Sequence, residues 1–253
     1  MYRRLVTLAP KDARTAYLIG VGLLAQGKRG KARKELEAAL ALAPGFVDPL
    51  TQLVALSSAE KQPDQALARV RKQAALLPRS AMHQLLLGET HRAQREGKLA
   101  EAAHLKAIEL EPRLAGPYLR LGGLYAASGQ FDDALAKVAE ALKGNPNNAG
   151  ALRLGGTIHE WRGAIPKARE FYEKVLALNP RFAPAANNLA WILSEHGSDK
   201  DNALTLAQTA KEQAPEDPHV TDTLGWIFYR RGVHQRALAL LKDSAARLPG
   251  NTP

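Results

Sequence analysis

The sequence of 253 residues contains no cysteine, which excludes disulfide scaffolds, thiolate zinc sites and cysteine nucleophiles. Aromatic residues make up only 6% of the chain, and runs rich in Val, Ile, Thr and Tyr, which predict β-strands, are missing. No apolar run approaches the roughly 18 residues that a membrane-spanning helix requires. The first ten residues have Arg3 and Arg4 but no long apolar stretch and no cleavage box, so we expect no signal peptide there.

The charge of the chain is basic and unevenly distributed. There are 35 Lys and Arg against 25 Asp and Glu, a net charge of +10, which favours acidic partners, anionic membranes or nucleic acid. Residues 1–46 have a net charge of +6, whereas residues 183–217 have a net charge of −4. The basic patch consists of Lys28, Arg29, Lys31, Arg33 and Lys34. It is interpreted as a solvated helix face or as a site for an acidic partner or membrane surface. Because no nucleic-acid motif or stacking platform accompanies it, we expect no specific nucleic-acid binding.

An internal period of 34 residues runs through the chain. It is marked by prolines at intervals of 34 with a single interval of 35: Pro10, Pro44, Pro78, Pro112, Pro146, Pro180, Pro215 and Pro249. Alanines keep the same rhythm: Ala32, Ala66, Ala100, Ala134, Ala168, Ala203 and Ala237. A period of this length is typical of stacked supersecondary units. We therefore divide the chain into a lead-in, 1–12, and seven units, 13–46, 47–80, 81–114, 115–148, 149–182, 183–217 and 218–251.

Two positions within the unit predict a helical hairpin. Position eight is small in six of the seven units, as in Gly88 and Gly156, which predicts that two helices cross closely there. Position fifteen is glycine in five units, and we expect it to end the first helix in the left-handed conformation. Lys61 and Arg95 depart from this pattern. The periodic proline ends the second helix because it has no backbone donor.

These columns, and the stretches 121–135 and 224–232 in particular, resemble the tetratricopeptide repeat over nearly the whole chain. The resemblance implies an all-α, right-handed superhelical solenoid of seven helix–turn–helix units in one continuous domain. Residues 1–10 are interpreted as the end of a preceding second helix. Since neither end has a polar capping helix, we expect a segment of a longer protein, or end helices that pair with a partner or another copy.

The sequence offers little catalytic chemistry. Gly22–Arg29 resembles a phosphate-binding loop, but Arg29 replaces the required Ser or Thr, and Gly27 is the turn glycine of the first unit. The seven histidines have no metal-ligand spacing. His91 and His104 are expected to face each other as a partly buried, hydrogen-bonded pair. We therefore predict a noncatalytic protein without a metal or cofactor.

The resemblance also implies where a ligand binds, since repeat positions two, five, six, nine, twelve and thirteen face a concave groove. The last three units supply the candidate groove residues: Arg153, Thr157, Trp161, Asn187, Asn188, Trp191, Asp222, Trp226, Tyr229 and Arg230. All three tryptophans are among them. Aromatic faces beside amides and charges suit peptide or sugar recognition. The alternative is that the tryptophans pack between first helices and stiffen the stack. The resemblance also implies a test for one known pocket of the family, a two-carboxylate clamp that binds the C-termini of chaperones. Of the residues that this clamp requires, this sequence has only the asparagine at Asn188.

Two functions follow as hypotheses. The first is a scaffold that binds a peptide segment or partner protein in the groove. The second is an accessory protein of polysaccharide biosynthesis or export, because the stretches 187–195, 203–210 and 222–226 resemble the closing repeats of bacterial arrays in exopolysaccharide-export and exosortase systems. The compartment stays open: cytoplasmic, or periplasmic and outer-membrane associated if the chain belongs to a longer bacterial precursor.

Overall fold

The computed structural model describes residues 12–197 and 199–248. Within these ranges the chain forms fourteen α-helices and no strand, so the predicted all-α class is confirmed. The helices are α1 (Ala13–Ala25), α2 (Arg29–Leu42), α3 (Val47–Ala59), α4 (Pro63–Leu76), α5 (Ala81–Ala93), α6 (Gly97–Leu110), α7 (Ala115–Ala127), α8 (Phe131–Gly144), α9 (Ala149–Trp161), α10 (Ile165–Leu178), α11 (Ala183–His196), α12 (Lys200–Gln213), α13 (Pro218–Arg230) and α14 (His234–Arg247). The predicted lead-in helix at residues 1–10 lies outside the described residues.

The helices form two compact units, one ending at Leu124 and the other beginning at Tyr125. In the first unit, α1 packs against α2 and α5 against α6 as helical hairpins. The second unit contains the hairpins α9–α10, α11–α12 and α13–α14, and α11 also packs against α13. The periodic alanines are all buried in the hairpins. The helices α2, α4, α6, α8, α10 and α12 each end two residues before a periodic proline.

Close helix crossing explains the small residue at position eight. A Cβ placed on Gly156 would lie 2.6 Å from the Tyr172 ring, and one on Gly88 would lie 2.4 Å from the His104 ring. Gly20 and Gly225 have the same relation to leucine side chains on their second helices. In each hairpin the partner stands sixteen residues further along the chain, at position twenty-four, so glycine at position eight leaves room for its side chain.

Among the residues that the structure describes, a left-handed residue lies in the turn between the two helices of six hairpins. Gly27, Gly129, Gly163 and Gly232 have φ between 72° and 80°, as predicted. The remaining two are Lys61 and Arg95, at φ 57° and 62°, where a Cβ makes the conformation costly. The prediction is wrong for Gly197, which is extended at φ −108°. The extra residue of this repeat lengthens α11 to His196, and Gly197 follows the helix in an extended conformation.

Polar side chains join neighbouring hairpins near the turns. In the second unit, Arg162 donates to Asp132 at 2.5 Å, and Arg231 donates to Asp201 at 2.7 Å. In the first unit, Gln94 donates to the Pro63 carbonyl at 2.9 Å. Each of these three donors directly follows a first helix, and each acceptor lies at the start of the preceding second helix. Exposed pairs of this kind contribute little individually, about 0.2 to 1 kcal/mol.

Candidate functional site

A cleft of about 350 Å³ opens between α9, α11 and α13 in the second unit. It is lined by Glu160, Asn187, Asn188, Trp191, His219, Asp222 and Thr223. Four of these are groove residues expected from the sequence: Asn187, Asn188, Trp191 and Asp222. They come from the repeat positions that were expected to face inward.

The amphipathic pattern of α11 explains why its polar residues reach the cleft. Its buried face consists of small and aliphatic residues, including Ala186, Leu189 and Ala190, that pack into the core of the second unit. Asn187, Trp191 and Glu195 follow one another at spacings of four, so they share the other face of the helix. The helix therefore presents an amide, an indole and a carboxylate in one row.

Tyr172 supports the cleft from beneath. It lies on α10 with its side chain fully buried, and its hydroxyl donates to Glu160 Oε2 at 2.8 Å. The same hydroxyl accepts from Asn188 Nδ2 at 2.9 Å and lies 3.2 Å from Thr157 Oγ1. Three partners satisfy the full capacity of a phenol, one donor and two acceptor sites, when Thr157 donates. The network therefore fixes the orientation of two residues that line the cleft, Glu160 and Asn188.

Burial shifts the acidity of both groups at the centre of this network. It raises the pKa of the Tyr172 phenol, against the opposing effect of the hydrogen bonds from Thr157 and Asn188. It also raises the pKa of Glu160, although the hydrogen bond from Tyr172 and the nearby His196 partly oppose this shift. Tyr172 therefore stays protonated and acts as a donor to Glu160.

A row of aromatic rings continues from the cleft along α11 and α13. We call Trp191, Trp226 and Tyr229 the aromatic row. The ring centroids of Trp191 and Trp226 are 6.1 Å apart, and those of Trp226 and Tyr229 are 5.5 Å apart. Both tryptophans are half-buried and Tyr229 is 50% exposed. The rings therefore contact one another and also present surface to solvent.

Glu195 holds the aromatic row in place. Its Oε1 accepts from Trp226 Nε1 at 2.6 Å, which satisfies the polar atom of a half-buried indole. Arg230 Nη1 lies 3.3 Å and 3.4 Å from the two oxygens of the same carboxylate. The charge of Arg230 is thus directed at Glu195 rather than at the cleft.

Three other predicted groove residues lie outside the cleft lining. Thr157 contacts Tyr172 from α9, as described above. Trp161 ends α9 with 58% of its surface exposed. Arg153 is half-buried on the same helix and is not among the residues that line the cleft.

Two important residues were missing from the predicted set. Tyr172 stands at position twenty-four on a second helix, where the repeat pattern predicts only core residues. The glycine at position eight opposite it, Gly156, was the available signal, because it leaves room for a large partner. Glu195 stands at position thirteen, one of the inward positions, and the repeat alignment could have included it.

The predicted basic patch is divided between exposed and paired side chains in the first unit. Lys28, Arg29, Lys31 and Lys34 are exposed, whereas Arg33 is half-buried against Glu60 at 2.5 Å. Gly27 lies in the turn between α1 and α2 at φ 72°. The resemblance of this segment to a phosphate-binding loop is therefore explained by a helical turn.

The expected hydrogen-bonded pair of histidines is wrong. His91 Nδ1 lies 2.5 Å from Glu96 Oε2, and neither ring nitrogen of His104 has a partner in the described part of the chain. The reason is the close packing of His104 over Gly88, which keeps the imidazole in the hairpin core. In the same ranges, no helix is long and apolar enough to cross a bilayer, and no three His, Asp or Glu side chains cluster as metal ligands would.

Known proteins resemble this chain in sequence and fold. Two models of the tetratricopeptide repeat match residues 119–181 and 171–239. Anaphase-promoting complex subunit 3 of Schizosaccharomyces pombe is 28% identical over 183 residues, 72% of this chain and 27% of that protein. Cellulose synthase operon protein C of Pseudomonas fluorescens is 27% identical over an alignment that covers 100% of this chain and 23% of that protein. The chain thus spans about a quarter of the length of both relatives.

The solved structure of yeast Tom70 has the same fold. It superposes with a TM-score of 0.75 over 98% of this chain and 54% of its own length, at 16% identity. A similarity at this level of identity shows the fold alone.

Proposed function

Because the chain is a tetratricopeptide-repeat protein, we propose that it is a noncatalytic scaffold that binds a peptide segment or partner protein at the cleft and the aromatic row. Repeat proteins of this family generally mediate protein–protein interaction. The observation that carries the proposal is the continuity of the two features. A cleft lined by amides and carboxylates opens beside rings that are half-exposed.

Two physical reasons support this proposal: the side chains of the site lose little conformational entropy on binding, and their geometry is fixed before a ligand arrives. The indole rings are held by mutual packing and by Glu195, so little side-chain entropy remains to be lost on binding. Aromatic residues supply large contact areas and dominate many interfaces. The Asn187 and Asn188 amides beside them can orient a peptide backbone through hydrogen bonds. An extended segment fits such a row better than a small molecule does.

Tryptophan fluorescence provides the test. In a Trp161→Phe variant, the remaining indoles are Trp191 and Trp226, both in the proposed site. We expect a pool of random dodecapeptides, selected for binding to the full chain, to change this emission on titration. Replacing Trp191 and Trp226 by alanine should abolish the binding of the same peptides, as measured by calorimetry. If the two alanine replacements lower the stability of the protein equally but leave the affinity for the peptides unchanged, the indoles serve packing only.

A role in polysaccharide biosynthesis or export is the second candidate. It is supported by the similarity to cellulose synthase operon protein C, which covers the whole chain, and by aromatic rings beside amides. Titrating the Trp161→Phe variant with cello-oligosaccharides tests it in the same assay. A response to these sugars without a response to peptides would favour this candidate and contradict the first.

A further inference from the structure

We infer that the cleft selects a cationic group, namely a lysine or arginine side chain of the bound segment. The inference rests on the proposed function, because it names the chemistry that the peptide must present. It follows from the balance of hydrogen-bond acceptors, donors and charges that line the cleft.

Negative charge predominates among the lining groups. Glu160 and Asp222 contribute carboxylates, and among the lining residues that the structure describes there is no lysine or arginine. Asn187 Oδ1 is buried and has no hydrogen-bond partner in the described part of the chain. A buried acceptor left without a partner costs free energy, which a bound donor would recover.

Several of the donors near the cleft are already used within the protein. Asn188 Nδ2 donates to Tyr172, and the Tyr172 hydroxyl donates to Glu160. Asn187 Nδ2 points toward Asn188 Oδ1 at 3.4 Å. Asp222, by contrast, is exposed, and Ser244 Oγ approaches it only to 3.5 Å. The cleft therefore retains free acceptor capacity on Asn187 and Asp222, which suits an ammonium or guanidinium group.

Two further features favour a positive charge. Trp191 forms part of the cleft lining, and an indole face attracts a cation through its quadrupole. The repeat that carries this residue, 183–217, has a net charge of −4, so its field steers basic segments toward the cleft. An anionic ligand would instead meet Glu160 and Asp222 without a lining cation to neutralise it.

Burial of Glu160 is consistent with an incoming cation. Burial raises the pKa of this carboxyl, since the surroundings do not fully compensate its negative charge. His219, the remaining titratable residue of the lining, is exposed, and a neutral imidazole has one nitrogen that accepts a hydrogen bond and one that donates. Glu195 is engaged by Trp226 and Arg230, so the charge that a ligand meets comes from Glu160 and Asp222.

The test begins with selection of phage-displayed random dodecapeptides on the full chain. We expect enriched sequences to share at least one lysine or arginine. Failure to enrich any peptide would contradict the proposed function as well as the inference. Enrichment of peptides without a basic residue would overturn the inference and leave the proposed function standing.

Variants and a modified peptide then locate the charge. Asp222→Asn should weaken a selected lysine peptide about tenfold, as loss of a charge-assisted hydrogen bond does. Asp133→Asn, which removes an exposed carboxylate on α8, is the matched control and should leave the dissociation constant unchanged. The same peptide with Nε-acetyl-lysine should bind at least tenfold more weakly. Equal affinity of the lysine and acetyl-lysine peptides, or equal effects of the two substitutions, would overturn the inference.

Discussion

The hairpin α5–α6 of the first unit and the hairpin α9–α10 of the second have the same packing of a ring against a glycine, but only one of the two rings is hydrogen-bonded. In both, a glycine at position eight, Gly88 or Gly156, leaves room for a polar ring at position twenty-four. The ring is His104 in the first hairpin and Tyr172 in the second, and both are at most 1% exposed. The difference between them lies in what their polar atoms contact.

Tyr172 carries its hydroxyl at the far end of a long ring, where it meets Glu160, Asn188 and Thr157. His104 carries its nitrogens within the ring, and neither has a partner in the described part of the chain. Burial lowers the pKa of His104 to about 4. The nearby carboxylate of Glu89 opposes this shift, whereas the arginines Arg120 and Arg92 lower the pKa further. Tyr172 therefore joins two repeats, because its hydroxyl contacts Asn188 of the following repeat, whereas the ring nitrogens of His104 make no such contact.

The largest effect that separates the two hairpins is expected on acidification. The pKa of His104 is lower in the folded protein than its ordinary 6.5. The free energy of unfolding is therefore highest above pH 6.5, where His104 is neutral, and decreases as the pH falls toward 4. The loss amounts to about 3 kcal/mol of the free energy of unfolding. Hydrogen exchange of the α6 amides between pH 7 and pH 4, corrected for intrinsic rates, measures it. A His104→Leu variant should lack this part of the pH dependence, and an identical profile in both proteins would contradict the account.

Removal of the Tyr172 hydroxyl should destabilise the protein, because it removes the hydrogen bonds that distinguish the hairpin α9–α10 from α5–α6. Tyr172→Phe keeps the ring but leaves Glu160, Asn188 and Thr157 without their common partner, so we expect a loss of about 2 kcal/mol. Urea unfolding followed by tryptophan fluorescence reports this change, since all three tryptophans lie in the second unit. Tyr229→Phe provides a control for the same chemical change on another tyrosine of this unit, which is 50% exposed. A stability loss below that of the control would show that the network contributes nothing net.

The opposite sign is expected for His104 at neutral pH. Replacing it by leucine, the residue at the same position in α2, removes two unpartnered nitrogens while keeping an apolar side chain of similar reach. We expect the free energy of unfolding to rise by about 1 kcal/mol at pH 7.5. Urea denaturation followed by circular dichroism checks this. Destabilisation of the variant would indicate that imidazole packing outweighs the unsatisfied nitrogens.

The smallest expected difference concerns the turns. Lys61 and Arg95, both in the first unit, have a left-handed backbone, whereas the second unit uses glycine at Gly129, Gly163 and Gly232. Lys61→Gly and Arg95→Gly should each raise the free energy of unfolding by about 0.5 to 1 kcal/mol, because the strain relieved exceeds the entropy cost of glycine. Gly163→Ala should lower it by a similar amount. Thermal unfolding of the three single variants measures the changes, and a uniform sign across them would refute this explanation.

The repeat pattern predicted local structure well. Every odd-numbered helix begins at the residue placed at position one, and the left-handed turn was foreseen at Gly27, Gly129, Gly163 and Gly232. These features are local, because each depends on the helical spacing of apolar residues and on a glycine or proline only a few residues away. The prediction was wrong at Gly197 because one inserted residue changes how α11 ends, and a pattern averaged over repeats does not show where that residue is accommodated.

What the sequence determined by itself is the all-α repeat, since its marks recur every 34 residues and act over short distances along the chain. Only the tertiary structure decided which polar atoms meet. The Asn188 amide reaches Tyr172 across 16 residues, and the Trp226 indole reaches Glu195 across 31 residues. Such contacts depend on the distance and angle between packed helices, to within a fraction of an ångström. Residue type and spacing place these side chains on a face, but packing assigns each donor its acceptor.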